Sequence, residues 1–147
     1  MIRLNAFNIS RCRFLSKKKL KGAVESILKS FGIDNAELSI TFATDSEIKA
    51  LNKIYRHRAA PTDVLSFSMR EGKRIAKDSD ILGDIVISVD RARAQAKTFG
   101  TSFKEEMKLY IIHGVLHLLG YDDEEPAAAK AMRKKERELL PLWRTRS

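Results

Sequence analysis

The chain has 147 residues, 44% of them hydrophobic, and it carries 28 Lys and Arg against 19 Asp and Glu, a formal net charge of +9. This length and composition predict one globular domain with a substantial core, and the single cysteine, Cys12, excludes an intramolecular disulfide. The positive charge favours a polyanionic partner such as nucleic acid, although a surplus of lysine that only keeps a small protein soluble explains the charge equally well.

Hydrophobic periodicity divides the whole chain into short strands and helices. In chain order it predicts a strand at 2–7, an amphipathic helix at 17–31, a strand at 38–43, a helix at 44–56, a short strand at 64–67, a longer strand at 81–89, a helix at 90–99, a long apolar helix at 103–119 and a last helix from 126 to about 140. Ser16, Thr44 and Ser102 are predicted helix caps. The pattern indicates a single compact α+β domain of roughly four strands and four or five helices.

No part of the sequence predicts a membrane or secretory segment. The longest apolar run, Tyr110 to Leu119, is shorter than the span of about 20 residues that a bilayer requires. The first residues alternate in polarity, whereas a signal peptide has a charged start followed by an apolar core. We therefore expect a cytoplasmic protein without a membrane partner.

Two of the three histidines, His113 and His117, interrupt the apolar helix at 103–119. Residues at i and i+4 share one helix face, with Cβ atoms about 5–6 Å apart, which suits two ligands of one tetrahedral metal. The alternative is a pair of core histidines satisfied by ordinary acceptors, but an unpaired buried ring would cost about 1–3 kcal/mol. A metal site is therefore the first hypothesis.

Gly120 and Asp123 follow the histidine pair at regular intervals. A glycine three residues after His117 can end the helix and turn the chain back, and Asp123 lies three residues further on. Metzincin proteases use this spacing to bring a third ligand to their metal. The alternative is that Asp123 belongs only to an acidic first turn of the next helix.

A third ligand would leave one position on the metal open, as in catalytic zinc sites. Peptidases with this spacing carry a glutamate directly after the first histidine as the general base. This chain has Gly114 there, so peptide hydrolysis by that mechanism lacks its base.

Four stretches of the chain, taken together, resemble the YbeY family of bacterial rRNA-maturation endoribonucleases. They are Tyr55-Arg56, Pro61-Thr62-Asp63-Val64-Leu65-Ser66-Phe67, Leu82-Gly83-Asp84-Ile85, and the stretch from His113 to Asp122. The resemblance implies a roughly four-stranded mixed sheet and a zinc-dependent, single-strand-specific endoribonuclease. It further implies a role in 3′-end maturation of small-subunit (16S) rRNA and in ribosome quality control.

The same resemblance assigns roles to individual residues. His113 and His117 match the first two metal ligands, and Arg56 matches the arginine of a Tyr-Arg motif thought to act at the substrate phosphate. Asp123 stands where the family usually has a third histidine, and spacing still favours it as the third ligand. Position alone would only predict that Arg56 satisfies carbonyls at a helix end.

The expected protein is thus one domain, 1–147, that binds one Zn²⁺ per chain and acts on single-stranded RNA at the ribosome or small ribosomal subunit, with no DNA expected as substrate. Two other classes stay open. The missing third histidine is compatible with a non-catalytic ribosome-assembly or RNA-binding protein that has a structural metal. The histidine spacing is compatible with a metallopeptidase, which Gly114 and the basic charge oppose.

Overall fold

The computed structural model describes residues 1–56, 63–69 and 80–143, with only the backbone described at 55 and 56. Its elements are β1 (Ile2–Phe7), α1 (Lys17–Lys29), β2 (Ala36–Ala43), α2 (Asp45–Arg56), β3 (Val64–Ser68), β4 (Ile81–Ser88), α3 (Val89–Phe99), α4 (Phe103–Leu118) and α5 (Pro126–Leu139). Within the described residues these four strands and five helices confirm the predicted α+β composition.

The four strands form one mixed sheet in the order β1-β2-β4-β3. Strand β1 is parallel to β2, and β2 is parallel to β4, whereas β3 runs antiparallel to β4 at the sheet edge. Along β2, the side chains of Leu38, Ile40 and Phe42 are buried, whereas the residues between them are partly exposed. The alternation in the sequence therefore identifies the core face correctly.

Helices cover the two faces of the sheet unequally. Residues of α1, α3, α4 and α5 share the larger core with Ile40, Ile85 and Ile87. On the opposite face, α2 places Ile48 against Val86 in a smaller cluster. Strand β4 is consequently covered on both sides, which explains its nearly continuous apolar sequence.

The caps predicted from the sequence are present at three helix starts. The Ser16 hydroxyl accepts a hydrogen bond from the Lys19 amide, and the Ser102 hydroxyl accepts one from the Glu105 amide, both at 3.1 Å. Thr44 and Glu47 form a reciprocal capping box at the start of α2. These local bonds fix where each helix leaves the sheet.

Some predicted boundaries differ from the structure by one or two residues; α1, for example, ends at Lys29 and not at residue 31. The alternation was extended through Val89, but β4 ends at Ser88 and Val89 is the first residue of α3. The Ser88 hydroxyl accepts a hydrogen bond from the Arg91 amide at 3.1 Å, so it caps the helix. Val89 is still 97% buried, because the first turn of α3 points it into the same core as the strand.

Helix α4 lies directly against the sheet. A Cβ atom built on Gly114 would lie 2.6 Å from Cγ2 of Ile85, so only a glycine permits this approach without a shift of the isoleucine. The prediction of a central buried helix is confirmed, since most of the residues from Glu106 to Leu118 are buried. In the described ranges no helix is long and apolar enough to cross a membrane.

Candidate metal centre

The two histidines lie on α4 and line an open cleft. Their side chains are 26% and 25% exposed, so they are accessible although most of their neighbours on the helix are buried. The Nε2 atoms of His113 and His117 lie 3.1 Å apart. Helical spacing therefore brings both lone pairs to one point, as the sequence predicted.

Gly120 turns the chain immediately after α4. It has φ +105°, its amide donates to the His117 carbonyl at 3.0 Å, and the Tyr121 amide donates to the Leu116 carbonyl at 3.0 Å. These paired bonds form a Schellman motif, in which glycine takes the left-handed position at low cost. The turn directs the following residues back along the helix and brings Asp123 to the histidines.

The three side chains have the spacing of one face of a metal tetrahedron. Oδ2 of Asp123 lies 3.5 Å from Nε2 of His113 and 3.7 Å from Nε2 of His117. Ligand atoms bonded to zinc at about 2.0–2.2 Å are about 3.3–3.5 Å apart in a tetrahedron. Two imidazoles and one carboxylate in this arrangement fit a divalent cation with an open coordination position.

The alternative explanation of Asp123, an acidic first turn, is not supported by the geometry. Helix α5 begins at Pro126 with Glu125 as its cap residue. The local turn is closed by Asp122, whose Oδ1 accepts a hydrogen bond from the Glu124 amide at 3.1 Å. Asp123 points to the histidines while its neighbour serves the turn.

A carboxylate behind His113 completes the arrangement. Oε1 of Glu136, on α5, lies 3.2 Å from Nδ1 of His113, and its side chain is only 14% exposed. A proton on Nδ1 shared with this carboxylate leaves Nε2 as a free lone pair directed at the metal position. The sequence analysis did not identify Glu136, because a residue 23 positions from His113 on a charged helix carries no motif.

The environment keeps His117 in the form that binds metals. Burial lowers the pKa of His117, and the positive potential of His113 lowers it further. Asp123, Asp122 and a hydrogen bond with the Tyr121 backbone raise the pKa and partly offset that effect. The net direction favours a neutral imidazole, whose lone pair is available to a cation.

The cleft that contains this cluster has a volume of about 1460 Å³. Asp63 and Arg133 line it together with the histidines, and burial raises the pKa of Asp63. Arg56 is the last residue of α2, but its side chain lies outside the described residues, so its predicted role remains a prediction. Pro61 and Thr62 of the second motif also lie outside the described residues. This volume is larger than the about 300–1,000 Å³ that is usual for small-molecule pockets.

The position after the first histidine does not face the cleft. Gly114 is buried against Ile85, so a glutamate there would be directed at the sheet. Among the described residues, this cluster of His113, His117 and Asp123 is the one group of three that could hold a metal ion. The arrangement provides a metal position next to a large cleft and lacks the peptidase base.

Comparison with known proteins supports one family. The sequence model described as Endoribonuclease YbeY matches residues 6–144. The protein named Endoribonuclease YbeY from Pelotomaculum thermopropionicum is 46% identical over 124 residues, 82% of each chain, and that from Aquifex aeolicus is 46% identical over 127 residues, 86% of this chain and 81% of its own. The solution structure of a Thermotoga maritima protein is similar with a TM-score of 0.66 and 28% identity, and the match covers 97% of this chain and 89% of that one.

Proposed function

Because the chain belongs to the endoribonuclease YbeY family, we propose that it is a metal-dependent endoribonuclease specific for single-stranded RNA. The observation that carries this proposal is the convergence of two imidazoles and one carboxylate within 3.1–3.7 Å of one another in the lining of a wide cleft. The proposed substrate in the cell is the 3′ end of small-subunit rRNA, in maturation and in ribosome quality control.

We assign the roles in the site as follows. His113, His117 and Asp123 hold one Zn²⁺, and Glu136 keeps the His113 ring in the tautomer that binds it. When bound, zinc polarises a phosphoryl oxygen or lowers the pKa of a bound water. Arg56 offers a two-pronged hydrogen-bond donor to the negative charge that develops on the phosphate.

Electrostatics supports RNA as the substrate. The formal charge of +9 attracts a polyanion, and each phosphate contacted by Lys or Arg releases counterions. Affinity for single-stranded RNA should therefore fall with salt, with a logarithmic slope of about −0.7 for each phosphate contacted. The ribosome or small subunit is the proposed partner and the cytoplasm the proposed location.

The proposal is tested by assaying the cleavage of one RNA as a single strand and as a duplex. Each form is assayed with the purified protein, with the protein after a chelator has removed its metal, and with that protein after Zn²⁺ has been restored. We expect cleavage of the single strand only, loss on chelation and recovery with zinc. His117→Ala should bind no metal and cleave neither RNA. RNA binding without any metal-dependent cleavage would contradict the proposal and favour an assembly protein with a structural metal. Casein cleavage would instead favour a peptidase.

A further inference from the structure

A second cavity, of about 690 Å³, lies at the carboxyl ends of the parallel strands. It shares no lining residue with the metal cleft. Ser10 follows β1, Thr44 follows β2 and Val89 follows β4, and each of them lines this cavity. In open sheets with parallel strands, this edge is the usual place for ligands.

The cavity is strongly basic. Its charged lining residues are one carboxylate and four cations: Asp90, Arg11, Arg13, Arg93 and Lys104. Glu47 engages Arg11 at 2.5 Å, and Asp90 lies 3.8 Å from Arg93. Within the described part of the chain, Arg13 and Lys104 form no ion pair, so their charges are available to an anion. An incoming phosphate would meet a net positive field, to which Arg13 and Lys104 contribute unpaired charges.

Two aromatic rings lie among these cations. Phe14 and Phe103 form an edge-to-face pair with centroids 6.2 Å apart. The Arg93 guanidinium lies 4.9 Å from the Phe103 centroid, and the Lys104 ammonium lies 5.8 Å from the Phe14 centroid. Proteins that bind single-stranded nucleic acids combine cations, which bind the phosphates, with aromatic rings, which stack with the bases.

Helix dipoles add to the field of the cavity. Helices α2, α3 and α4 begin at Asp45, Val89 and Phe103, and the residues Thr44, Val89 and Ser102 of these starts line the cavity. A helix N-terminus carries about half a positive charge and favours phosphate groups. Side chains and backbone thus favour the same kind of ligand.

We propose that this basic aromatic pocket is a second binding site for single-stranded RNA, in which Arg13 and Lys104 contact phosphates and Phe14 stacks with a base. The identity of the strand rests on the function proposed above. Lys104 and His117 are 13 residues apart on α4, which is about 20 Å along the helix. At about 3.4 Å per stacked nucleotide, a stacked strand of about six nucleotides spans this distance, so an RNA of about 20 nucleotides can occupy both sites at once.

The test measures binding by stopped-flow fluorescence anisotropy, which records binding before cleavage, for RNAs of about 20 and about four nucleotides at several salt concentrations. For the long RNA, Arg13→Ala combined with Lys104→Ala should reduce the salt slope by about 0.7 for each lost phosphate contact. Phe14→Leu should weaken its binding at least about 5-fold, as expected for loss of one stacked base. The short RNA, which in a stacked form is too short to occupy both sites at once, should lose less affinity than the long RNA in the pocket variants, because it can still bind in the metal cleft.

The matched control is Lys29→Ala combined with Lys134→Ala, which removes the same charge from exposed positions that line neither cavity. An unchanged salt slope in the Arg13 and Lys104 variant, or an equal change in the control, overturns the inference. Saturable binding of adenosine monophosphate that requires Arg13 but does not compete with long RNA also overturns it, in favour of a free nucleotide. Unchanged RNA binding in the pocket variants refutes the second binding site but leaves the proposed endoribonuclease activity unaffected. Pocket-dependent binding without metal-dependent cleavage refutes only the proposed endoribonuclease activity.

Discussion

Glu136 of α5 fixes the orientation of His113 on α4, with Oε1 placed 3.2 Å from Nδ1. The carboxylate is largely buried, and the bond joins two helices that meet only through the tertiary fold. Outer partners of this kind set the tautomer and raise the basicity of a metal-binding histidine. We propose that the candidate metal centre consists of the three ligands His113, His117 and Asp123, with Glu136 as a supporting carboxylate.

Substitution of Glu136→Gln should lower zinc affinity by about 10- to 100-fold, because the amide keeps the shape but loses the charge that stabilises the Nδ1 proton. Competition with a fluorescent chelator measures the affinity. Glu138→Gln is the control, since Glu138 is an exposed residue on the same helix and pairs with Lys135 at 3.5 Å. Equal affinities in the two variants would contradict the positioning role.

Substitution of Asp123→Ala should lower metal content further than Glu136→Gln, because a direct ligand is lost. Mass spectrometry of the purified protein measures the metal. Asp123→His, which introduces the usual family residue, should hold zinc at least as well as the unchanged chain. Asp122→Asn is the matched control, because it removes a neighbouring negative charge while its side-chain oxygen can still accept the hydrogen bond from the Glu124 amide. Full metal content in Asp123→Ala would exclude this carboxylate as a ligand.

Substitution of Arg56→Ala should reduce the turnover number for RNA cleavage by about 100- to 1000-fold, the range expected when one donor to a developing negative charge is removed. Metal content should not change. Arg56→Lys should recover little activity, because an ammonium is a point charge without the planar fork. Lys53→Ala removes a positive charge from an exposed position of the same helix and should leave turnover unchanged. Similar losses in both alanine variants would indicate only a general charge effect.

Gly83→Ala should destabilise the fold by more than about 3 kcal/mol, at the upper end for single substitutions. Gly83 has φ +138°, and a Cβ atom there would lie 2.1 Å from the backbone oxygen of Phe67. Gly100→Ala is the control, since Gly100 has φ +68° with nothing within 4 Å of the added atom. Gly100→Ala should lower the stability by only about 1–2 kcal/mol, the cost of a left-handed backbone in a residue with a Cβ atom. Urea denaturation measures both, and equal losses would disprove the close contact.

The thiol of Cys12 should be unreactive in the native protein. The residue is fully buried, and burial raises its pKa from 9.0 to about 12. The folded state disfavours the thiolate. The contribution of the neutral thiol to the free energy of unfolding is therefore complete below pH 9, and it is lost by about 1.4 kcal/mol for each pH unit as the pH rises toward the folded pKa. A thiol reagent at pH 8 should label the chain only in denaturant, and Cys12→Ala should reduce the loss of stability above pH 9. Rapid labelling of the native protein would contradict this.

Much of the secondary structure could be predicted from the sequence, because each element depends on contacts within a few residues. Alternation identified β2, and the capping box of Thr44 and Glu47 identified the start of α2. The prediction that β4 extends to Val89 was wrong, and the reason for this error is also local. A buried residue fits the period of a strand and also the first turn of a capped helix, so the hydrophobic pattern cannot separate the two.

The core of the candidate metal site was also available from the sequence. Helical spacing places His113 next to His117, and the Gly120 turn returns Asp123 to them, so these relations need no knowledge of the rest of the fold. The family resemblance added the expectation for Arg56 and the proposed chemistry. It did not indicate which groups support the ligands.

Only the tertiary structure decided the relations between separate elements. It placed Glu136 behind His113, pressed Gly114 against the sheet, and assembled Arg13, Arg93 and Lys104 from three segments around one cavity. Spacing along a helix or turn fixes neighbours within about one or two turns. Contacts between elements depend on how whole faces pack, and in a single sequence that packing leaves no periodic signal.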